Sequence, residues 1–339
     1  MLLVRMFVFL CIPLSLIVLA ENVLAERIPS DIKQIVTFIY GEKKESVGLC
    51  EEVHLDKAAF FCASGTGFFV GVPDSTNPEF SYTYLVTAKH VLYDEKTNSL
   101  YPSIVTHLNK RGGGVLRGQI PLVTDGKDKT IYFHSDPTVD LAVIPHGWPK
   151  SDIIEGKVFP EKLISDKASL KNLHIEEGTE VFFTGLFTQH VGAKRNYPIF
   201  RFGHLALVTE EKFNWNGQST ELYLMESGSY GGNSGSPVFF FLDLDRPPQD
   251  LREGPLRLVG VMMGTVLDQP QLDPVIAMSK DGEIKQLDEA GKKVWALNKS
   301  KVGIAAVVPA YKLLEILQGT ELEERRRAAS RNNQTPPSP

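Results

Sequence analysis

A succession of short apolar runs, rich in β-branched and aromatic residues and separated by turn signals, constrains the fold of this 339-residue chain more than any other feature. From about residue 30 onward these runs include GTGFFVGV, YTYLVTA, TIYF, VDLAVI, VFFTGLF, ELYLM, SPVFFFL and LRLVGVMMGTV. Most are too short for helices, and none alternates with a long amphipathic helical pattern, so the chain reads as all-β rather than α/β. Two β-barrels or sandwiches suit the length, and 42% apolar residues with 9% aromatics suit a well-buried core.

The first residues, MLLVRMFVFLCIPLSLIVLAENVLA, place Arg5 before an apolar run from Met6 to Ala20 and end on small residues at Val23 and Ala25. This is the pattern of a secretory signal peptide over 1–25, with Ala20 as a second cleavage position. Interrupted by Pro13, the run falls short of the roughly 20 residues that a membrane span needs. The expected location is therefore secreted, periplasmic or cell-envelope, with no stable membrane span after cleavage. Cleavage removes Cys11 and leaves Cys50 and Cys62, an even pair expected to close a disulfide in an oxidising compartment. Residues 1–25 carry only Arg5 and Glu21, so the remainder keeps the net charge of -5, which argues against nucleic acid as a partner.

The stretch SDIIEGKVFPEKLISDKASLKNL has a moderate helical pattern and no strong strand pattern. It divides the chain into an N-terminal half, 26–165, and a C-terminal half, 166–319. In VVPAYKLLEILQG, Pro309 opens and Gly319 closes a pattern at Leu313, Leu314 and Leu317, which predicts a C-terminal helix. The nearly apolar-free segment 320–339 reads as a helix extension passing into a disordered tail. Segments 241–256 and 266–300 are longer than hairpins need and read as surface insertions; 192–198, GAKRNYP, reads as a basic loop. No P-loop, dinucleotide fingerprint or Cys/His zinc spacing occurs, and neither cofactor nor metal is expected.

One segment raises a chemical question: GGNSGSP, residues 231–237, clusters glycines around Ser234 between apolar runs. Small residues allow backbone conformations and close approaches that side chains forbid. A serine becomes a nucleophile only beside a base that is itself oriented by a carboxylate. Of eight histidines, His90 ends the run YLVTAKHVL, where a buried strand meets a turn. The other seven (His54, His107, His134, His146, His174, His190 and His204) read as core or surface residues. Asp140 opens DLAVI, a charge at the entrance of an apolar strand that is costly to bury without a partner. Asp136 is the competing acid, but its Asp-Pro context reads as a turn. The order His90, Asp140, Ser234 excludes an α/β-hydrolase, which needs a histidine after the nucleophile, whereas none follows His204.

TAKH, DLAVI and GNSGSP, in this order on an all-β background, resemble the chymotrypsin-fold serine peptidases, in particular the bacterial trypsin-like branch with the HtrA-type and glutamyl-endopeptidase-type enzymes. The resemblance runs from SGTGFFV at 64–70 to VGIAAVVPAYKLLEIL. It implies two six-stranded antiparallel β-barrels and a C-terminal helix. It also implies a peptidase acting on protein or peptide substrates, with Ser234 as nucleophile, His90 as general base and acid, and Asp140 as its orienting partner. The backbone N–H groups of Gly232 and Ser234 would form the oxyanion hole. With 105 residues after Ser234, the second barrel and helix leave no room for the PDZ domains of HtrA-type enzymes.

Departures from the family pattern carry their own expectations. Asn233 replaces the aspartate that binds a new N-terminus in the animal digestive enzymes, so activation by that route is not expected. Gly228 stands six residues before Ser234, where trypsin keeps its pocket acid. Met262, Met263 and Gly264 stand where glutamyl endopeptidases place a histidine-bearing strand. These four residues predict a pocket for an apolar or small side chain, with Glu226 an exception if it turned inward. A secreted binding protein on the same fold, with latent or vestigial hydrolytic power, is the competing reading, and a surface adhesion role is a third.

Overall fold

The computed structural model describes residues 28–43, 50–54, 58–124, 129–149, 152–188, 190–192, 194–215, 217–228, 232–242, 254–268, 277–278, 284–285 and 300–334. The signal peptide expected over 1–25 and most of the two insertions lie outside these residues, as does Gly231.

The N-terminal half contributes β1 (Val36–Lys43), β2 (Cys50–His54), β3 (Ala58–Pro73), β4 (Ser81–Thr87), β5 (Tyr93–Asp94), β6 (Ser99–Leu100), β7 (Ser103–Asn109), β8 (Val115–Pro121), β9 (Tyr132–Phe133), β10 (Ala142–Pro145) and β11 (Phe159–Pro160). Apart from the small β5–β6 pair, they form one nine-stranded sheet along the path β8-β7-β1-β3-β4-β10-β9, with β2 and β11 paired to β3. Pairing among the described residues does not join the two ends of this path. Cys50 and Cys62 face each other across β2 and β3 and form a disulfide.

The continuous apolar runs have a physical cause here: both faces of the sheet are covered. Phe68, Val70 and Val72 of β3 join Tyr84 and Val86 of β4 in a core shared with Phe182, Phe239 and Leu258 of the C-terminal half. The alternate residues Phe69 and Leu85 pack the other way, with Ile39, Ile104 and Ile144. Because side chains alternate along a strand, a sheet with two buried faces loses the polar half of the pattern.

The C-terminal half contributes β12 (Glu180–Gly185), β13 (Ile199–Leu207), β14 (Phe213–Trp215), β15 (Gln218–Thr220), β16 (Tyr223–Glu226), β17 (Pro237–Phe241), β18 (Leu256–Asp268), β19 (Ala277–Met278), β20 (Ile284–Lys285) and β21 (Ser300–Pro309). Six of these close a barrel in the order β12-β13-β16-β21-β18-β17, while β14–β15 and β19–β20 are separate hairpins. Val181, Phe183, Leu205, Met225, Val238, Met262, Ala305 and Val307 fill its interior. The chain is thus mostly β with few helices and one closed six-stranded barrel.

Among the described residues three α-helices complete it: α1 (Lys167–Asn172), α2 (Ala310–Leu317) and α3 (Thr320–Gln334). Asp166 caps α1 by accepting the Ser169 N–H at 2.6 Å. The helix extension expected after Gly319 runs through Gln334 as α3, and the rest of the tail expected within 320–339 lies outside the described residues. Leu322 is buried, and the polar face of α3 is recognised by the N-terminal half. Ser330 Oγ donates to Asp74 Oδ2 at 2.7 Å, and Arg326 Nη1 donates to the Tyr84 hydroxyl at 3.1 Å. Among the described residues no helix is long and apolar enough to cross a membrane.

Candidate active site

His90 sits in a single 3-10 turn, Lys89–Leu92, that follows β4 directly. Buried Val91 and Leu92 anchor the turn and leave the imidazole outside, with its side chain 47% exposed. Asp140 stands two residues before β10, which pairs with β4, and this pairing brings the two residues together. The Asp140 carboxylate is nearly buried and is used twice: Oδ1 accepts the His90 backbone N–H at 2.9 Å, and Oδ2 lies 2.6 Å from His90 Nδ1. Nδ1 therefore carries the proton donated to Asp140, and Nε2, without a partner among the described residues, is left as the basic nitrogen. Crowding by protein atoms pulls the imidazole pKa down, but the hydrogen bond and charge of Asp140, with Glu95 beyond, outweigh it and raise the pKa above 6.5.

Asp136 does something else. Its Oδ1 closes a turn by accepting the Thr138 N–H and hydroxyl, and its Oδ2 accepts from Lys212 Nζ at 2.6 Å. These bonds, that of Lys212 first, hold its carboxyl well below the usual range.

Ser234 lies in the turn before β17, and the glycines around it are required. Gly232 and Gly235 have φ of 94° and 83°, which side-chain-bearing residues rarely adopt. A Cβ on Gly235 would come within 2.0 Å of the Thr66 carbonyl. Thr66 in β3 grips this turn from the other half of the molecule. Its N–H donates to the Ser234 carbonyl at 2.9 Å, and its Oγ1 donates to the Gly232 carbonyl at 2.7 Å while accepting the Leu186 N–H at 2.9 Å. The Asn233 carbonyl accepts the Ser236 N–H at 3.0 Å, so the Ser234 N–H, across the same planar peptide, points to the opposite side. No described group accepts the N–H of Gly232 or Ser234. Asn233 itself is fully buried and donates through Nδ2 to the Leu186 carbonyl at 2.8 Å.

The Ser234 hydroxyl donates to the Met263 carbonyl at 3.1 Å; among the described residues no hydrogen bond joins it to the His90 ring. Met263, Gly264 and Thr265 nevertheless line the same cleft of about 560 Å³ as His90 and Asp140. Trp215 and Gln218 of the β14–β15 hairpin also line it. Met262 is fully buried in the barrel core, Met263 is partly exposed, and Gly228 lies against the guanidinium of Arg201. Glu226 is exposed on the outer face of the barrel, opposite His204 and Ile304. Among the described residues no group of three His, Cys, Asp or Glu could hold a metal ion.

Sequence reasoning passed over Thr66, Leu186, Arg201 and Trp215. SGTGFFV reads as a strand, and its Ser-Gly-Thr-Gly opening is the part that touches the Ser234 turn.

No family model matches the chain, and no curated protein sequence does. Among solved structures, the chain is similar to the apo MamO protease domain of Magnetospirillum magneticum, at 15% identity and a TM-score of 0.43 over 84% of this chain and 97% of that one. It is also similar to the Rv3671c protease of M. tuberculosis in an inactive form, at 13% identity and a TM-score of 0.37 over 84% and 88%. A Ser343Ala mutant of Rv3671c, also in an inactive form, matches at 12% identity and a TM-score of 0.37 over 84% and 87%.

Proposed function

We propose that the chain is a secreted or envelope serine endopeptidase of the two-barrel chymotrypsin type, cutting peptide bonds through an acyl-enzyme on Ser234. The observation that carries this reading is the double grip of Asp140 on His90, which fixes the tautomer and aims Nε2 at a cleft. The Met263 carbonyl that holds the Ser234 hydroxyl belongs to a residue lining that same cleft.

In this reading a rotation about χ1 of Ser234 carries the hydroxyl from Met263 to His90. His90 then takes the hydroxyl proton as Ser234 Oγ attacks the scissile carbonyl, and Asp140 stabilises the imidazolium. The negative charge on the former carbonyl oxygen is met by the N–H groups of Gly232 and Ser234, held in place by Thr66 and Ser236. The imidazolium returns the proton to the leaving amine, and a water repeats the sequence to release the acid. Every part comes from the chain itself, and the signal-peptide pattern at 1–25 supports export.

The Ser234–Met263 bond also favours a second reading, a binding protein in which the nucleophile is latent. Digestion of an unstructured protein, with fragments identified by mass spectrometry, separates the two. The peptidase reading expects cleavage by the wild type and a loss approaching a millionfold in Ser234→Ala. Retention of more than a few per cent of the rate by Ser234→Ala would mean that another residue acts, and an intact substrate with the wild-type protein would favour the binding protein.

A further inference from the structure

We infer that Arg201 lies at the base of the pocket for the substrate side chain immediately before the cut bond, and that it selects aspartate or glutamate there. The inference rests on the reading of Ser234 as the nucleophile, and it begins with the faces of the barrel strands. Arg201 of β13 lies opposite Phe183 of β12, two positions from the pair Gly203–Val181. Directly opposed residues in an antiparallel pair point to the same side, and Phe183 and Val181 belong to the barrel core. Arg201 is therefore directed into the barrel mouth rather than out to solvent.

The rim it enters is the one beside Ser234. The β12–β13 pair ends two residues further on, at Gly185 and Ile199, and the Leu186 that follows holds Asn233 through its carbonyl. Met225 and Ala305 form the neighbouring interior pair on β16 and β21. Two residues toward the rim from each stand Ser227 and Gly303, joined by a bond from the Ser227 N–H to the Gly303 carbonyl at 2.8 Å. Thr265, across from Ala305 on β18, lines the cleft that contains His90.

Small residues thus leave the mouth open over this sector. A Cβ on Gly303 would meet no described atom within 4 Å. At exposed Gly228 the only described atoms so close are those of the Arg201 guanidinium, with Nη2 at 2.5 Å. A side chain at 228 would displace that group, and glycine lets it lie against the backbone. Glu226 is turned to the outer face and does not enter the mouth.

A guanidinium offers a planar fork of donors that matches a carboxylate in two parallel bonds. Met262, on which the sequence-based expectation of an apolar preference partly rested, is enclosed in the core below.

The test uses the full chain and a series of fluorogenic peptides that differ only in the residue before the cut: Glu, Asp, Gln, Leu or Lys. In parallel, calorimetry measures binding of acetylated peptides ending in Glu, Gln or Lys to Ser234→Ala, with and without Arg201→Glu. The expected result is a kcat/KM for Glu or Asp about a hundredfold above that for Gln. Arg201→Lys should keep the order with a smaller ratio, and Arg201→Glu should move the preference to Lys, a gain that misfolding cannot imitate.

Cleavage of Gln or Leu peptides at least as fast as of acidic ones would overturn the inference while leaving the peptidase reading intact. So would an order unchanged in Arg201→Glu. Absence of turnover with Arg201-dependent binding that ranks Glu above Gln and Lys would keep the pocket and remove the peptidase. Absence of both turnover and ranked binding would overturn the two together.

Discussion

At the scale of single residues the site depends on one carboxylate placed where it can do two things. Asp140 fixes the His90 backbone and ring together, so the imidazole can neither slip nor change tautomer without breaking a buried bond. The raised pKa gives a sign to the pH dependence. His90 must be neutral to accept a proton, so kcat/KM should be low in acid and rise through an apparent pKa above 6.5, measured with a substrate that has no titrating group in that range. The same shift contributes to stability below pH 6.5, where the charged ring is paired, and that contribution is lost as the pH rises through the folded pKa. A midpoint below 6.5 would contradict the pairing. Both residues were legible in the sequence because each breaks an apolar run, and a charge at such a place needs a reason. Arg201 was not legible, since β13 alternates too irregularly for a face to be assigned before its partners are known.

Elements from the two halves meet at the Ser234 turn. β3 reaches across with Thr66, whose hydroxyl satisfies the Gly232 carbonyl and the Leu186 N–H at once. Thr66→Val keeps the shape and removes both bonds, leaving the Gly232 carbonyl of the turn and the Leu186 N–H after β12 without that partner. It should destabilise the chain by roughly 2 kcal/mol or more, as measured by urea unfolding. It should also slow acylation by about tenfold to a hundredfold, because the two N–H groups proposed as oxyanion donors lose a support. Thr66→Ser should restore most of the rate. Unchanged acylation in a folded Thr66→Val protein would show that β3 does not position the turn. The strands were legible as apolar runs, and GGNSGSP was legible as a place where the backbone needs small residues. The grip of one upon the other was not, because a single hydroxyl bridging positions 66, 186 and 232 leaves no local pattern.

On the scale of the whole molecule, the C-terminal helix ties the closed barrel back to the N-terminal sheet. α3 follows α2, which packs on the barrel, and carries Ser330 and Arg326 to Asp74 and Tyr84. The bonds to Asp74, that of Ser330 first and those of Thr76 next, hold its carboxyl well below the usual range. A group depressed in this way stabilises the fold above its unfolded pKa and loses that effect as the pH falls toward the folded one. A chain ending at Gly319 should melt at a lower temperature than the full chain, and the gap should narrow below about pH 3.8. Equal melting temperatures at neutral pH would show that α3 does not brace the two halves. The helix extension was legible, but its docking on the N-terminal sheet was not, because apart from Leu322 that docking is polar. The closure of the barrel was equally hidden, since it depends on β12 meeting β17 and β18 meeting β21 across long stretches of chain.

The central claim is that Ser234 is an activated nucleophile, and reaction of the folded full chain with a fluorophosphonate, wild type beside Ser234→Ala, tests it most directly. The proposed mechanism predicts one modified peptide in the wild type, with the label on Ser234, and none in the variant. A folded wild-type protein that takes up no label, or takes it up elsewhere, would contradict it.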